Sequence, residues 1–181
     1  MRKLEQANIR LEKTKEAVFE SLVRGYVKKI LRLVYLIVKD RNLAEDITQE
    51  VFLKAYKNLS SFREESSMQT WVYKIAVNES KKYLRSWSFR HLFFRAEVDV
   101  EVVGDTESAV LQSDSRIRFA RLVMSLPPTH RQIIVLHYYE ELSIEEMADI
   151  LDISAGAIHT RLHRARQKLR EQLEKEGLEW I

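Results

Sequence analysis

Residues Ser143 to Arg170 read S-I-E-E-M-A-D-I-L-D-I-S-A-G-A-I-H-T-R-L-H-R-A-R-Q-K-L-R. Ser143 followed by Glu146 is a capping box and starts a short helix. Asp152-Ile153-Ser154 makes a three-residue turn, and Ser154 can cap the helix that follows. From Glu140 to Asp152 there are six acids and no base; from Ala155 to Arg170 there are five bases and no acid. At about 100° per residue, Ile158, Leu162, Ala165 and Leu169 fall on one face. That stripe is expected to pack on Ile144, Met147, Ala148 and Leu151 of the preceding helix. Gly156, Thr160, His163 and Gln167 lie opposite, flanked by His159 and Arg164. A capped acidic helix, a tight turn and a basic helix form the pattern of a helix-turn-helix whose second helix enters the major groove of DNA. Side chains on the outer face are then placed to meet base edges, while Arg161 and Arg166, at its borders, are placed to meet phosphates. The plainer alternative is an amphipathic helix with a solvated basic face. His159 and His163 have a zinc-like i, i+4 spacing, but no third ligand stands near them in the sequence, so no metal is expected.

The rest of the composition agrees with a helical protein. The chain has 181 residues, enough for one ordinary domain or two small ones, and 45% of them are apolar. Four glycines, two prolines and the lack of alternating runs point to an all-α fold. There is no cysteine, which excludes disulfide frameworks and cysteine-based zinc sites. No apolar run approaches the ~18 residues needed to span a bilayer, and Met1-Arg2-Lys3-Leu4-Glu5 does not open a signal peptide. A cytoplasmic protein without membrane insertion is expected.

Two helical units joined by a linker are expected. Leu11 to about Lys39 has helical spacing in Val18, Leu22, Tyr26, Leu33 and Ile37, with Gly25 as a possible kink or break. Asn42, with Glu45 three residues on, is placed to cap a helix running to about Leu59, with Ala44, Ile47, Val51, Phe52 and Ala55 inward. Ser60 to Gln69 has loop chemistry, and Thr70 to Arg85 is helical again; four to five helices are expected in the first half. Ser86 to Gln112 mixes aromatic residues with an acidic tract and does not specify a core. Asp114 to Leu126 is helical; Pro127-Pro128 ends it, and Thr129 is placed to cap the next helix, to about Tyr139. The expected division is 1–87, an acidic linker at 88–113, and 114–181.

Three strings carry a resemblance: N-L-A-E-D-I-T-Q-E-V-F-L-K-A-Y-K-N-L-S-S-F from Asn42 to Phe62, T-W-V-Y-K-I-A-V-N-E-S-K-K-Y-L-R from Thr70 to Arg85, and S-L-P-P-T-H-R-Q-I-I-V-L-H-Y-Y-E-E-L-S-I-E-E-M-A-D-I-L from Ser125 to Leu151. In this order they resemble the extracytoplasmic-function group of bacterial sigma factors, from about Phe19 to Leu173. The resemblance implies one domain for the minus-ten promoter element and one for the minus-thirty-five element, with the acidic linker where primary sigma factors have a middle domain. It implies core RNA polymerase as a partner, docked on the Asp46, Gln49 and Glu50 face. That face would repel phosphate and suits a basic protein surface; by spacing alone, a solvated acidic face is the plainer reading.

The Thr70–Arg85 helix carries Lys74, Lys81, Lys82 and Arg85, with Trp71, Tyr73 and Tyr83 interleaved, a mixture suited to single-stranded DNA. Trp71 taken alone reads as core. The resemblance gives Asn78 a role in lining a pocket for one flipped base, with Phe62 and the loop before the helix completing it. Glu64-Glu65 and Met68-Gln69 depart from the family's usual residues there, and Lys15 to Phe19 departs from its usual opening. The partners implied are core polymerase, promoter DNA as duplex and as single strand, and a membrane-bound anti-sigma factor. No cofactor and no covalent chemistry are implied. Two rivals are a LuxR-type helix-turn-helix regulator, which would not need the Asp46-Gln49-Glu50 face, and an enzyme acting on nucleic acid, which would need clustered carboxylates for metal or a nucleophile with its base.

Overall fold

The computed structural model describes residues 2–62, 66–90 and 120–175, and the side chains of 14–62, 66–85 and 120–175. All regular structure among them is helical. Helix α1 is Arg2–Val38. It passes through Gly25 unbroken, because that position is exposed and helical and a Cβ there would meet nothing within 4 Å. Glycine there costs only about 1 kcal/mol relative to alanine, which the buried stripe Leu22, Ile30, Leu33, Val34 and Ile37 outweighs. Val18, expected inward, is 41% exposed.

Lys39 turns the chain through a left-handed conformation (φ 63°), leaving Asp40 extended at the start of α2, Arg41–Asn58. Asp40, not Asn42, is therefore the cap, and its carboxylate accepts from the Leu43 N–H at 2.9 Å. The inward residues are the expected ones: Ala44, Ile47, Val51, Phe52 and Ala55 are buried. A single 3-10 turn, Leu59–Ser61, follows. Helix α3 is Met68–Arg90, with the Ser67 hydroxyl accepting from Thr70 N–H at 3.0 Å in its first turn. Residues 86–90 thus continue α3 past its expected end at Arg85, and the described residues of the first half form three α-helices and one 3-10 turn instead of the expected four to five helices. Residues 91–119, which hold the rest of the expected linker and the start of the helix expected from Asp114, lie outside the described residues, as do Glu64 and Glu65.

The second half begins with helical residues 120–125 (α4). Helix α5 is Pro128–Ile134, with Pro127 as its cap residue, so Thr129 lies inside the helix rather than capping it. The reason is proline's own geometry: its φ is already helical and it has no N–H to leave unpaired in the first turn. Helix α5 passes directly into a π-turn, Val135–Tyr139. Helix α6 is Ile144–Leu151, with both bonds of the Ser143/Glu146 capping box formed. Asp152, left-handed at φ 57°, turns the chain, and the Ser154 hydroxyl accepts from Ala157 N–H at 3.2 Å at the start of α7, Ala155–Lys175. One apolar cluster runs through both halves. Helix α1 packs on α2, α3 and α5; α3 also lies along α6; α7 packs on α5 and α6.

Candidate nucleic-acid and protein interfaces

Helix α7 has the predicted rotation. Ile158, Leu162, Ala165 and Leu169 are buried, against Met147, Ile150 and Leu151 of α6. His159, Thr160, His163, Arg164 and Gln167 are exposed on the outer side. Two of them are tied locally: Thr160 Oγ1 donates to Gly156 O at 2.9 Å, and Gln167 Nε2 donates to Glu171 Oε1 at 3.3 Å. Arg161, at the border, is half-buried. Arg166, at the other border, is held against the π-turn. Its Nε donates to the Tyr138 hydroxyl at 2.7 Å, and its guanidinium lies 5.5 Å from that ring's centroid. The π-turn brings Tyr138 to that position, a link with no local sequence signal. Beside this surface, burial and then the charges of Lys168 and Arg164 hold the His130 pKa below its usual value.

On α2, Asp46 and Gln49 are exposed and Glu50 half-buried, on the side away from Ile47 and Val51. Glu50 is 3.8 Å from Lys54, whose ammonium is closer to Glu79 at 2.5 Å. Leu53, 55% exposed, continues the same face one turn on. Sequence reasoning passed over Leu53, although an apolar residue off the Ala44–Ile47–Val51 stripe was a usable signal.

On α3, Lys74, Asn78, Lys81 and Arg85 share a face at i, i+4, i+7 and i+11. Asn78, Lys82 and Arg85 are exposed, with Lys82 3.9 Å from Glu79. Phe62 and Trp71 are both half-buried and pack ring to ring, centroids 5.2 Å apart. Trp71 also borders the core. Tyr73 is fully buried, so it is not available to stack on bases; its hydroxyl donates to Glu140. Burial, and next that hydrogen bond, raise its pKa.

The cations of α3 are also engaged by the second half of the chain. Lys74 Nζ is 2.6 Å from Asp149 Oδ1, and Lys81 Nζ donates to Leu151 O at 3.4 Å. Burial, then the charges of Arg161 and Arg85, hold the Lys81 pKa below its usual value. Two further links join the halves. Glu140, almost wholly buried, meets Arg32 at 2.7 Å. Arg131, 2% exposed, donates to Met124 O, Leu126 O and, across the halves, Ile37 O at 2.8–3.0 Å. Burial brings the Arg131 pKa down to about 10.

Comparison with known proteins gives these surfaces a family. Residues 22–89 match "Sigma-70 region 2" and residues 116–169 match "Sigma-70, region 4". The chain is 34% identical over 174 residues to the ECF RNA polymerase sigma factor SigW of Bacillus subtilis, covering 90% of this chain and 92% of the relative. It is 33% identical over 170 residues to the ECF RNA polymerase sigma-E factor of Escherichia coli K12, covering 88% of each. In fold it is similar to the sigma factor RpoE of Bartonella quintana, solved in complex with the anti-sigma factor NepR, with a TM-score of 0.73 at 23% identity over 86% of this chain and 96% of that one. The chain belongs to the extracytoplasmic-function group of the sigma-70 family of RNA polymerase sigma factors.

Proposed function

We propose a division of labour within this sigma subunit, which directs core RNA polymerase to promoters. The segment 1–87 docks on polymerase and takes the minus-ten element; 88–113 serves as the linker; 114–181 takes the minus-thirty-five element. The Asp46, Gln49 and Glu50 face of α2, continued by Leu53, meets a basic surface of the polymerase. Asn78 pairs with the edge of one unstacked base, since an amide offers a donor and an acceptor. Phe62 and Trp71 border that base's pocket. Lys74, Lys81, Lys82 and Arg85 track the strand's phosphates. On α7, His159, Thr160, His163, Arg164 and Gln167 read base edges, and Arg161 and Arg166 hold phosphates.

Capturing an unstacked base offsets the few kcal/mol that unstacking costs, so melting is driven by binding energy and not by covalent chemistry. We place the protein in the cytoplasm, under an anti-sigma factor that is membrane-bound. No described helix is long and apolar enough to cross a membrane. The observation that carries this reading is the presence, in one chain, of an acidic α2 face and an outward base-bearing α7 face.

Reversing Asp46 and Glu50 together to Lys tests it. Both lie off the apolar stripe, so circular dichroism should stay native while capture of core polymerase falls. Native dichroism with undiminished capture would refute the docking assignment. A regulator that works alone, as the LuxR-type reading requires, would bind duplex promoter DNA without any polymerase.

A further inference from the structure

At about 100° per residue, the outer face of α7 around Thr160, His163 and Gln167 has two edges. Arg161, Lys168 and Gln172 lie along one; His159, Arg166 and Arg170 lie along the other. Helix α5 packs on α7, and the run it forms with the π-turn serves both edges. At its far end the Tyr138 hydroxyl accepts from Arg166 at 2.7 Å. At its near end the Ser125 hydroxyl donates to Gln172 at 3.0 Å, so the first edge of α7 runs along the segment that opens α5. His130, in the first turn of α5, stands on that side, where the charges of Lys168, Arg164 and Arg161 all reach it.

His130, Arg161, Arg164 and Lys168 have no hydrogen-bond or ion-pair partner among the described residues. The His130 ring is half-buried, and its Nδ1 is enclosed without a partner. An N–H sealed there would lose its hydrogen bond to water and gain none. Nδ1 therefore stays bare, and the proton sits on Nε2, which is not enclosed. Burial, then the neighbouring cations, hold the His130 pKa below its usual value, which keeps the ring neutral. The result is one neutral N–H donor beside a strip of unpaired cations.

We infer that His130 and Lys168 form a second phosphate-binding edge of the minus-thirty-five site, opposite the Tyr138–Arg166 edge, so that α5 bridges the two backbone walls of the groove that α7 enters. The inference rests on the reading that places α7 in the major groove. His130 and Tyr138 stand eight residues apart in one uninterrupted helical run, which is ~12 Å at 1.5 Å per residue. The major groove is about 12 Å wide. A neutral donor suits the His130 position, because it adds a hydrogen bond to phosphate without packing a fourth full charge against three.

Holoenzyme affinity for a promoter duplex at pH 8 tests this, with single minus-thirty-five phosphates replaced in turn by neutral methylphosphonate. His130→Phe keeps the bulk of the ring and removes the donor. It should weaken binding to the unmodified duplex about three- to tenfold and leave the salt slope unchanged, since no cation is lost. His130→Gln, which restores an N–H, should recover part of the loss. Lys168→Ala should lower the salt slope by about one. One methylphosphonate, or two adjacent ones on the same strand, should erase the His130→Phe and Lys168→Ala defects. The methylphosphonate that erases the Arg166→Ala defect should lie on the other strand.

Undiminished affinity of His130→Phe overturns the inference. So does a defect that no single methylphosphonate erases, or one erased on the strand that serves Arg166. A His130→Phe defect in capture of core polymerase without promoter would give the cluster to a protein surface and overturn it as well. If His130→Phe lowers the urea midpoint, Lys168→Ala, at an exposed position, decides the strand comparison alone. Arg164→Ala checks the groove reading separately. Altered base preference there, with undiminished His130→Phe and Lys168→Ala, leaves α7 in the groove and removes the second edge. Unaltered base preference removes the groove reading, and the inference falls with it.

Discussion

Helices α3 and α7 are both basic, amphipathic and assigned to DNA, yet their cations are used differently. On α7 the polar face points outward: His159, Thr160, His163 and Arg164 are exposed, and Arg166 is carried by a remote partner, Tyr138. On α3 the polar face is partly occupied, with Lys74 and Lys81 taken by α6 and Lys82 near Glu79. A basic helix is therefore not automatically an open one. Which state it is in depends on whether a distant acidic element can reach it, and periodicity within the helix carries no information about that.

The largest expected effect tests the rotation of α7. Ile158 is fully buried on its inner stripe, so Ile158→Ala should cost about 2–5 kcal/mol of stability by lost burial plus a cavity. His163→Ala on the outer face should stay within about 0.5 kcal/mol. Urea unfolding of both variants checks the pair, and comparable losses would mean the two faces are misassigned.

Next in size is the division of labour across that outer face. Arg164→Ala should relax preference at one or two minus-thirty-five positions by about 1–3 kcal/mol. Arg166→Ala should weaken binding to all sequences and lower the salt slope by about one. Because Tyr138 steadies Arg166, Tyr138→Phe should give a weaker version of the Arg166→Ala defect. Holoenzyme binding to a library of minus-thirty-five variants at several salt concentrations separates these outcomes. A sequence-dependent Arg166→Ala effect with a uniform Arg164→Ala effect would invert the assignment.

Smaller again is the cap on α6, which packs on both helices proposed to meet DNA, α3 and α7. Ser143 accepts from Glu146 N–H at 3.1 Å, and the Glu146 carboxylate accepts from Ser143 N–H at 2.9 Å. Ser143→Ala should cost about 1 kcal/mol, read as a lower urea midpoint. An unchanged midpoint would mean that tertiary packing alone holds the first turn.

These contrasts mark what the sequence made legible. The helix-turn-helix could be read almost residue by residue, because its caps, turn and apolar stripe are all local and agree with one another. Where two local signals competed, the backbone decided: Asp40 displaced Asn42 as the α2 cap because a left-handed Lys39 set the chain's entry, and Pro128 displaced Thr129 from the start of α5. The Glu140–Asp152 acid run was visible, but its destination was not. Asp149 meets Lys74 across 75 residues, Arg131 reaches Ile37 across 94, and Tyr73 meets Glu140 across 67. Contacts at such separations are set by how two helical layers dock, and no spacing within either layer encodes them.

The smallest effect concerns a residue that belongs to neither DNA helix and so serves as a control for both. Gly25 lies in the middle of α1, exposed, with open space where a Cβ would go. Nothing there requires glycine's conformational range, since the backbone has no positive φ to relieve. Gly25→Ala should then raise stability by about 0.5–1 kcal/mol, because alanine loses less backbone freedom on folding. Core binding and promoter preference should be unchanged, because Gly25 belongs to none of the faces proposed to meet polymerase or DNA. Thermal unfolding should show a small rise in Tm with wild-type transcription. A fall in Tm would mean that α1 bends at Gly25 during folding or assembly. A rise in Tm accompanied by lost transcription would place a required flexing point in α1.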